Sequence, residues 1–409
     1  MTTTQITGDI PAHVPAELVR DFNYFDMRGE TDLYQFFRKW QDGPDIFYSP
    51  YFGGHWVLTR AEDLDYVMNN AADFSSRHQT TPPNETLVTM IEHDGQLHKD
   101  FRNILQPFFT PKNIGALEKV ATELTVSLID GFYAKGECEF TSEFALKMPI
   151  IIVMNLCELP QEDTGYLISL VETLTRSGDA AAQLEGFRKL FAYLGEKIIP
   201  ARAANPGSDM ISAIITGKVD GGRSPTSEEI LGLAALLVIG GLDTVASMLG
   251  FITQFLANNP AHRRRLIEDK AILGPAIEEL IRRHHIANVA RVAARDIEYK
   301  GITIKQGDII LIGTSFAGVD EKRYPDALSV DFDRADKKHT AFGRGPHQCI
   351  GSFLARTEIK VFLTEWLKRI PDFEIKPGAT PIAQPGKANR VEYLPLVWPV
   401  LESVVEKAA

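Results

Sequence analysis

The sequence has few cysteines and no excess of positive charge. Its 409 residues include three cysteines, Cys138, Cys157 and Cys349, and their spacing gives no framework of pairs. Disulfide bonds are therefore not expected, and this cysteine usage is typical of a protein from a reducing cytoplasm. The formal net charge is -11 and no basic run occurs, which disfavours a nucleic-acid-binding function.

Targeting and membrane signals are also missing from the sequence. The N-terminus does not resemble a signal peptide, and no apolar run is judged long enough to cross a bilayer. We find no internal repeat and no low-complexity segment. The expectation is a soluble, cytoplasmic protein with no membrane partner.

Most of the chain has the apolar spacing of helices, and β signals are confined to two places. The first pairs residues 46–48 with 56–58, and the second comprises residues 297–299, 302–304 and 309–311. The predicted fold is therefore mainly α with a small β-sheet region. Because no clear linker divides the chain, we expect residues 1–409 to form a single domain.

The most informative stretch is residues 341–351, which places Cys349 in a glycine-rich loop. Apolar residues recur at helical spacing from Ile359 to Ile370, so the loop should precede a helix that ends before Pro371. A helix N-terminus favours an anion and lowers a thiol pKa. Gly343, Gly345 and Gly351 in the same loop leave room for a large planar ligand. The pattern indicates a thiolate that holds a metal, and the alternative is a small buried thiol in a turn.

A second long helix is predicted from Thr226, with Glu229 completing a capping box, to about Asn258. Around Leu236 it is apolar on every face, which predicts burial. Residues 240–244 should interrupt it, because two glycines are followed by an acid and an alcohol in an apolar stretch. The alternative is a bent core helix whose threonine hydroxyl bonds back to the backbone.

A third motif follows Gly274-Pro275, where Glu279 and Arg282 lie three residues apart on one face of a predicted helix. By itself such a pair is most simply a surface ion pair that contributes little to stability.

These motifs resemble one family. Phe342, Gly345, Cys349 and Gly351 reproduce the Phe-x-x-Gly-x-x-x-Cys-x-Gly signature of the haem-thiolate monooxygenases, so the chain resembles a cytochrome P450. Segments 240–245, 278–283 and 394–398 are most similar to bacterial, class I enzymes of the camphor-hydroxylase type. The resemblance implies the cytochrome P450 fold over nearly the whole chain, haem b (iron protoporphyrin IX) as cofactor and O2 as co-substrate.

The resemblance also implies roles for individual residues. Cys349 would be the axial ligand of the haem iron, while Asp243 and Thr244 would deliver protons during oxygen activation. Glu279 and Arg282 would be a buried structural pair completed by Arg334. The remaining cofactor contacts, including the cations for the two propionates, would be His98, Arg102, Arg291, Phe342, Gly343, His347 and Gly351.

The substrate implied by the resemblance is a small terpenoid. The loop from Ser75 to Asp94 could arch over the haem, and the pocket residues would be Thr86, Val88, Leu236, Ile239, Gly240, Val289 and Ala388. Thr86 stands where camphor hydroxylases have a tyrosine donor, and Val289 stands where they have an aspartate. Both differences argue against camphor itself and favour a bulkier monocyclic terpenoid or a norisoprenoid of the ionone type.

The resemblance further implies a redox partner. A [2Fe-2S] ferredoxin with its NAD(P)H-dependent reductase would supply electrons. The acidic ferredoxin would dock on a basic surface formed by Lys99, Arg102, Lys338, Arg344 and Arg356. The alternative for each of these side chains is an ordinary solvated charge.

Other interpretations of the cysteine remain open at this point. A haem-binding sensor or carrier would keep Cys349 but would not need the Asp243-Thr244 pair. A zinc protein needs four ligands, and Cys138 and Cys157 are not at the usual spacing. A cysteine hydrolase could use His339 or His347 as its base. These classes differ in whether the purified protein shows a haem absorption band.

Overall fold

The computed structural model describes residues 9–27, 29–81, 88–176 and 180–401. The chain divides into two compact units. Unit 1 comprises Met1–Lys99, Glu279–Cys349 and Gln384–Asn389, and unit 2 comprises Asp100–Glu278, Ile350–Ala383 and Arg390–Ala409.

Helices make up most of the described chain, as the sequence predicts. In chain order they are α1 (Leu33–Trp40), α2 (Ala61–Asn69), α3 (Gly95–Leu105), α4 (Pro111–Tyr133), α5 (Lys147–Leu156), α6 (Thr164–Arg176), α7 (Ala180–Ala192), α8 (Ile199–Ala204), α9 (Met210–Thr216), α10 (Ser227–Asn258), α11 (Pro260–Glu268), α12 (Leu273–Arg283), α13 (Thr314–Gly318) and α14 (Ser352–Arg369).

The strands are short and fall in several small sheets. In chain order they are β1 (Ile46–Ser49), β2 (His55–Leu58), β3 (Phe74–Ser75), β4 (Glu137–Glu139), β5 (Asn288–Ala293), β6 (Ile297–Tyr299), β7 (Ile302–Ile304), β8 (Ile309–Gly313), β9 (Glu374–Ile375), β10 (Ile382–Gln384), β11 (Arg390–Tyr393) and β12 (Pro395–Val397).

Unit 1 is built on a five-stranded sheet with the order β1-β2-β8-β5-β3. The hairpin β1–β2 is antiparallel with Ile46 opposite Leu58, and β2 runs parallel to β8. Strand β5 is antiparallel to β8, which places Arg291 opposite Ile310. The apolar core of this unit includes Trp56, Leu58, Phe74, Ile310 and Ile312.

Both predicted β regions are confirmed, but β5 is a strand that the sequence patterns did not indicate. Four of its six residues are buried and the other two are half-buried, so neither face is exposed and the apolar-polar alternation of a half-buried strand is lost. The buried Arg291 also interrupts the apolar run. The strands after residue 370 were missed as well, because each is only two to four residues long.

In unit 2, α10 is the long central helix. The capping box at Thr226 and Glu229 and the end of the helix at Asn258 are confirmed. A Cβ on Gly241 would come within 2.6 Å of the Val153 side chain, and one on Gly250 within 3.0 Å of Val391. The glycines therefore allow α5 and β11 to approach the helix closely.

Two expectations for α10 are wrong, and a third holds only in part. Helical structure continues through residues 240–244, so the predicted interruption is not observed. Burial around Leu236 is confirmed only in part, because Leu233, Ala234, Ala235 and Val238 are buried while Leu236 itself is partly exposed. By length and composition α10 also meets the criteria for a membrane span, against the expectation that no apolar run was long enough. The core helix of a soluble protein meets the same criteria.

Candidate functional site

The cysteine loop in unit 1 has the local structure that the sequence predicts. Cys349 is exposed and follows the short 3-10 turn Gly345–His347. Its backbone N–H donates to the carbonyl of Phe342 at 2.8 Å, which closes the loop. Helix α14 begins three residues later, so the predicted helix before Pro371 is confirmed. The thiol therefore lies just ahead of an 18-residue helix, where a negative charge is favoured.

Two glycines of this loop have backbone conformations that favour glycine. Gly343 has φ of +70° and Gly345 has φ of +65°, which side chains with a Cβ rarely adopt. A Cβ on Gly345 would also lie 2.5 Å from the carbonyl oxygen of Met68. Gly351 differs, because its φ of -82° is open to any residue.

Glu279, Arg282 and Arg334 come together in unit 1 as a fully connected network. Glu279 accepts two hydrogen bonds from Arg282, at 2.6 and 3.1 Å, and a third from Arg334 at 3.1 Å. Neither Glu279 nor Arg282 is exposed. The remaining Arg282 donors bond the carbonyls of Gly318, Ala327 and Ser329. The network ties the end of α12 to the segment that leads to the cysteine loop, and it is not a surface ion pair.

Arg291 is a buried cation on β5. Its side chain bonds the carbonyl of Ala290, and 4% of the residue is exposed. Burial lowers the pKa of Arg291 to about 10, and the charge of Asp94 opposes this only in part. A buried charge requires a compensating partner. An anionic group of a ligand would provide one, so Arg291 fits a cofactor with carboxylate groups.

His98 and His347 are in contact in unit 1, with ring centroids 4.0 Å apart and ring planes tilted by 31°. His347 Nε2 also lies 3.4 Å from a carboxylate oxygen of Asp94. Burial would raise the pKa of Asp94, but hydrogen bonds from His347, Ser75 and Ser76 outweigh it and lower that pKa to about 2. The imidazole of His347 is thus held in place by a carboxylate of the protein itself.

In unit 2, the predicted acid-alcohol pair lies on α10. Thr244 is exposed and donates its hydroxyl to the carbonyl of Gly240 at 3.0 Å, while Asp243 is half-buried. Leu236 and Ile239 are partly exposed on the preceding turn. The hydrogen bond from the threonine hydroxyl to its own helix backbone, which the alternative interpretation proposed, is therefore present. The hydroxyl oxygen can still accept hydrogen bonds.

The other predicted pocket residues belong to unit 1. The Val88 amide donates to Glu92 at 2.6 Å. Val289 lies on β5, and Ala388 forms a β-bridge with Ala287. All three predicted pocket residues are half-buried. The prediction for Thr86 falls outside the described residues.

The basic residues predicted for the partner surface differ in their contacts. Lys99 and Lys338 are exposed, and Arg102 is partly exposed. In unit 1, Arg344 lies 3.6 Å from Asp65. In unit 2, Arg356 forms two hydrogen bonds with Glu278, at 2.6 and 2.9 Å. The charge of Arg356 is therefore largely balanced within the protein.

Three charged residues, Glu358, Glu92 and Lys387, were not identified as candidates from the sequence. Glu358 on α14 is fully buried, and burial raises its pKa to about 8. The sequence could have indicated that Glu358 is buried, because it lies four residues before Phe362 on the apolar face of the helix. Glu92 and Lys387 interact electrostatically within unit 1, but no sequence pattern connects them.

The chain has an exposed thiol in a glycine-rich loop at a helix N-terminus. It also has a buried arginine that suits an anionic group. Both are features of a haem-thiolate protein. The family model for cytochrome P450 matches residues 180–388. The probable cytochrome P450 127A1 of Sinorhizobium fredii is 35% identical over 406 residues, which cover 96% of this chain and 97% of that protein. The chain belongs to the cytochrome P450 family.

Solved structures agree with this assignment. The crystal structures of CYP101J2 and CYP101C1 are 35% and 34% identical, each with a TM-score of 0.88, and each match covers 96% of this chain and 100% of the other. The resemblance to camphor-hydroxylase-like enzymes and the predicted fold are confirmed. The protein is a haem monooxygenase that binds haem b, uses O2 and acts on a small substrate, so the carrier, zinc and hydrolase interpretations are wrong.

Proposed function

We propose that this cytochrome P450 hydroxylates a small hydrophobic terpenoid or norisoprenoid, ionone-like or camphor-like, with electrons from a [2Fe-2S] ferredoxin and its NAD(P)H-dependent reductase. The observation that carries the monooxygenase chemistry is the exposed Cys349 in its glycine-shaped loop, followed by α14. We further propose that residues 1–409 act as one catalytic domain in the cytoplasm.

Cys349 would bind the haem iron through its thiolate, and Phe342, Gly343 and Gly351 would contact the macrocycle. Arg291 would balance a propionate, with Arg102, His98 and His347 as further partners. When bound, the haem supplies the activation of dioxygen, which the electron-donating thiolate favours. The protein would contribute position, proton supply and exclusion of water.

Proton supply would depend on α10. Thr244 donates to Gly240 and keeps lone pairs that can accept a hydrogen bond from a water molecule. Asp243, half-buried beside it, would exchange protons with solvent. The pair would thereby hold a water molecule that can donate a proton during oxygen activation.

The substrate class is supported by the apolar character of the proposed pocket. The residues proposed to contact substrate are small or aliphatic in each unit, as expected for contacts with a hydrocarbon skeleton. They are Val88, Val289 and Ala388 in unit 1, and Leu236, Ile239 and Gly240 in unit 2. Thr86 in place of the tyrosine of camphor hydroxylases supports a ligand other than camphor. The positive charges of Lys99, Lys338 and Arg344 in unit 1 and of Arg102 in unit 2 support an acidic electron donor. Arg356 contributes less, because Glu278 balances its charge.

The test is a substrate screen with the haem-loaded protein. A panel of monocyclic terpenoids, ionones and camphor is titrated while the spin state of the iron is followed. Ligands that change it are then incubated with a ferredoxin, its reductase and NAD(P)H. A hydroxylated ionone-type product supports the proposal. Spin-state changes only with unrelated classes, such as fatty acids or macrolides, would contradict the proposed substrate.

A further inference from the structure

An apolar stripe runs along the surface of α7 in unit 2. Leu184, Phe187 and Phe191 recur at i, i+3 and i+7, so they share one side of this 13-residue helix. Their exposed fractions are 63%, 39% and 38%. Single apolar side chains are ordinary on a protein surface, but three on one side of a helix form a continuous patch. We call these three residues the α7 face.

The packing of α7 within unit 2 uses a different side of the helix. Gly186 and Leu190 are buried there. A Cβ on Gly186 would lie 3.1 Å from the Leu174 side chain, so the absence of a side chain lets α6 approach closely. The contact with α6 therefore does not need the α7 face, which remains available to a partner outside the chain.

Charged residues of both signs accompany the α7 face. Arg188 comes one residue after Phe187 and three before Phe191, so it flanks the face. It donates to a carboxylate oxygen of Glu185 at 2.9 Å, and both side chains are exposed. Lys189 lies 3.9 Å from Glu185 but, by helical spacing, on the side of the helix away from the face. The edge of the face thus carries one positive and one negative charge.

A face with this charge pattern is complementary to a second copy of itself. A two-fold axis near Phe187 would run the two α7 helices antiparallel, since the same patch of each subunit meets in such an interface. Phe187 would pack on Phe187 of the second copy, and Leu184 would face its Phe191. Glu185 and Arg188 lie on opposite sides of Phe187 along the helix. The axis would therefore bring Arg188 of each copy near Glu185 of the other.

A lipid surface fits the α7 face less well. Helices that lie on anionic membranes are rich in Lys and Arg on their polar side. Here Arg188 already has Glu185 as its partner, and the formal net charge of the chain is -11. An anionic membrane would repel such a chain, whereas a second copy supplies matching charges at the edge of the face.

We propose that the α7 face is an interface through which two copies of this chain associate as an antiparallel, two-fold symmetric dimer. One side of a single helix is smaller than the roughly 800 Å² per partner that a standard interface buries. The dimer should therefore be weak, with a Kd of about 10–100 μM. This inference goes beyond the proposed function and does not depend on the substrate.

The test is sedimentation of the haem-loaded protein from about 1 μM to about 300 μM, a range that spans the expected Kd. The mass of the wild type should rise with concentration towards twice that of the monomer. Phe187→Glu places a charge at the centre of the interface and should weaken association by about ten-fold or more. Ile382→Glu places the same charge at an exposed apolar residue on β10, also in unit 2, and should associate like the wild type.

Charge exchange between two variants tests the antiparallel pairing itself. Glu185→Arg gives the edge of the face two positive charges, and Arg188→Glu gives it two negative charges. Each variant alone should associate several-fold more weakly than the wild type at low salt. An equimolar mixture should recover the wild-type strength, because opposite charges then meet across the interface. A merely local effect of either substitution on α7 would persist in the mixture.

Each outcome bears on the inference. A wild type that stays monomeric over the whole range overturns it, and so does association that Phe187→Glu leaves intact or weakens no more than Ile382→Glu does. A mixture of Glu185→Arg and Arg188→Glu that does not recover overturns the antiparallel pairing. A monomer that binds phosphatidylcholine vesicles through Phe187 assigns the α7 face to a membrane instead. If Phe187→Glu fails to fold, as judged by its melting curve and haem content, Leu184→Glu takes its place.

Discussion

The Thr244 hydroxyl lies 3.0 Å from the carbonyl oxygen of Gly240, one turn earlier in α10, and donates a hydrogen bond to it. The bond occurs within unbroken helix, although sequence patterns predicted an interruption there. It orients the hydroxyl so that its lone pairs, and not its proton, are available to a neighbouring group. A threonine that accepts a hydrogen bond from a water molecule is suited to proton delivery.

We predict that Thr244→Ala retains haem and substrate binding but diverts reducing equivalents from product to hydrogen peroxide. The substitution removes the acceptor that holds the proton-bearing water, so protons reach the reacting oxygen in the wrong place. The ratio of hydroxylated product to NAD(P)H consumed measures this coupling, and it should fall by about ten-fold or more.

Thr364→Ala is the matched control for this substitution. Thr364 on α14 makes the same bond to the carbonyl four residues earlier, at 2.8 Å, and is partly exposed. Thr364→Ala removes a hydroxyl-to-backbone bond of the same kind at a position with no proposed role in proton delivery. Coupling should therefore be unchanged. Full coupling in Thr244→Ala would rule out the assigned role.

A second prediction concerns the buried Glu279 network. Glu279→Gln leaves Arg282 without its charge partner at a fully buried position, which should cost about 3–5 kcal/mol of folding free energy. Denaturant unfolding and haem content of the purified variant provide the measurement. We expect little haem-loaded protein to accumulate.

The adjacent Glu278 gives a control of identical chemistry. Its partner is Arg356, and both side chains are about one-third exposed. Glu278→Gln should therefore cost less than about 1 kcal/mol. Equal losses for the two variants would show that the buried network has no special structural role.

The third prediction is a pH dependence caused by Glu358. Burial raises its pKa from 4.5 to about 8 in the folded protein. Between these values the unfolded chain is ionised while the folded one holds a proton, so the unfolded state binds fewer protons and stability falls as pH rises. Glu358→Gln removes this dependence, and its melting temperature should exceed that of the wild type by several degrees at pH 8.

The difference between Glu358→Gln and the wild type should shrink steadily as the pH is lowered from 8 towards 5. Glu118→Gln, which alters a half-exposed pair with Lys360, should show no such trend. A constant difference at every pH would mean that Glu358 is not protonated in the folded protein at neutral pH.

The fourth prediction addresses the partner surface. Arg344→Glu should slow the first reduction by the ferredoxin several-fold at low ionic strength, because it reverses a charge that attracts an acidic partner. The effect should fade as salt screens the interaction. Stopped-flow reduction under carbon monoxide gives the rate.

Arg295→Glu changes the net charge by the same amount at an exposed arginine that also pairs with an aspartate, Asp73. It should leave the reduction rate close to that of the wild type. Equal slowing by both substitutions would indicate a general charge effect and remove Arg344 from the docking surface.

Local patterns predicted the elements that depend on local chemistry. The helix before Pro371, the capping box at Thr226 and the hairpin β1–β2 follow from apolar spacing, a cap and a glycine turn. The sequence order of the cysteine loop and the Glu279-Arg282 pair was enough to indicate the family. These features involve residues that are close together in the chain.

Features that depend on tertiary contacts were not predictable in the same way. Strand β5 was missed because none of its six residues is exposed, so it lacks the apolar-polar alternation of a half-buried strand. The expected break in α10 did not occur, and Gly241 in that segment instead allows the Val153 side chain of α5 to pack closely against the helix. The Lys387–Glu92 interaction joins residues almost 300 positions apart, and no periodicity connects them.

The central claim is that the sulfur of Cys349 coordinates the haem iron, and the most direct measurement is the absorption spectrum of the ferrous protein under carbon monoxide. The account predicts the strongly red-shifted Soret maximum of thiolate ligation in freshly purified wild type, and its loss in Cys349→His. A spectrum without that maximum in intact, haem-loaded wild type would contradict the account.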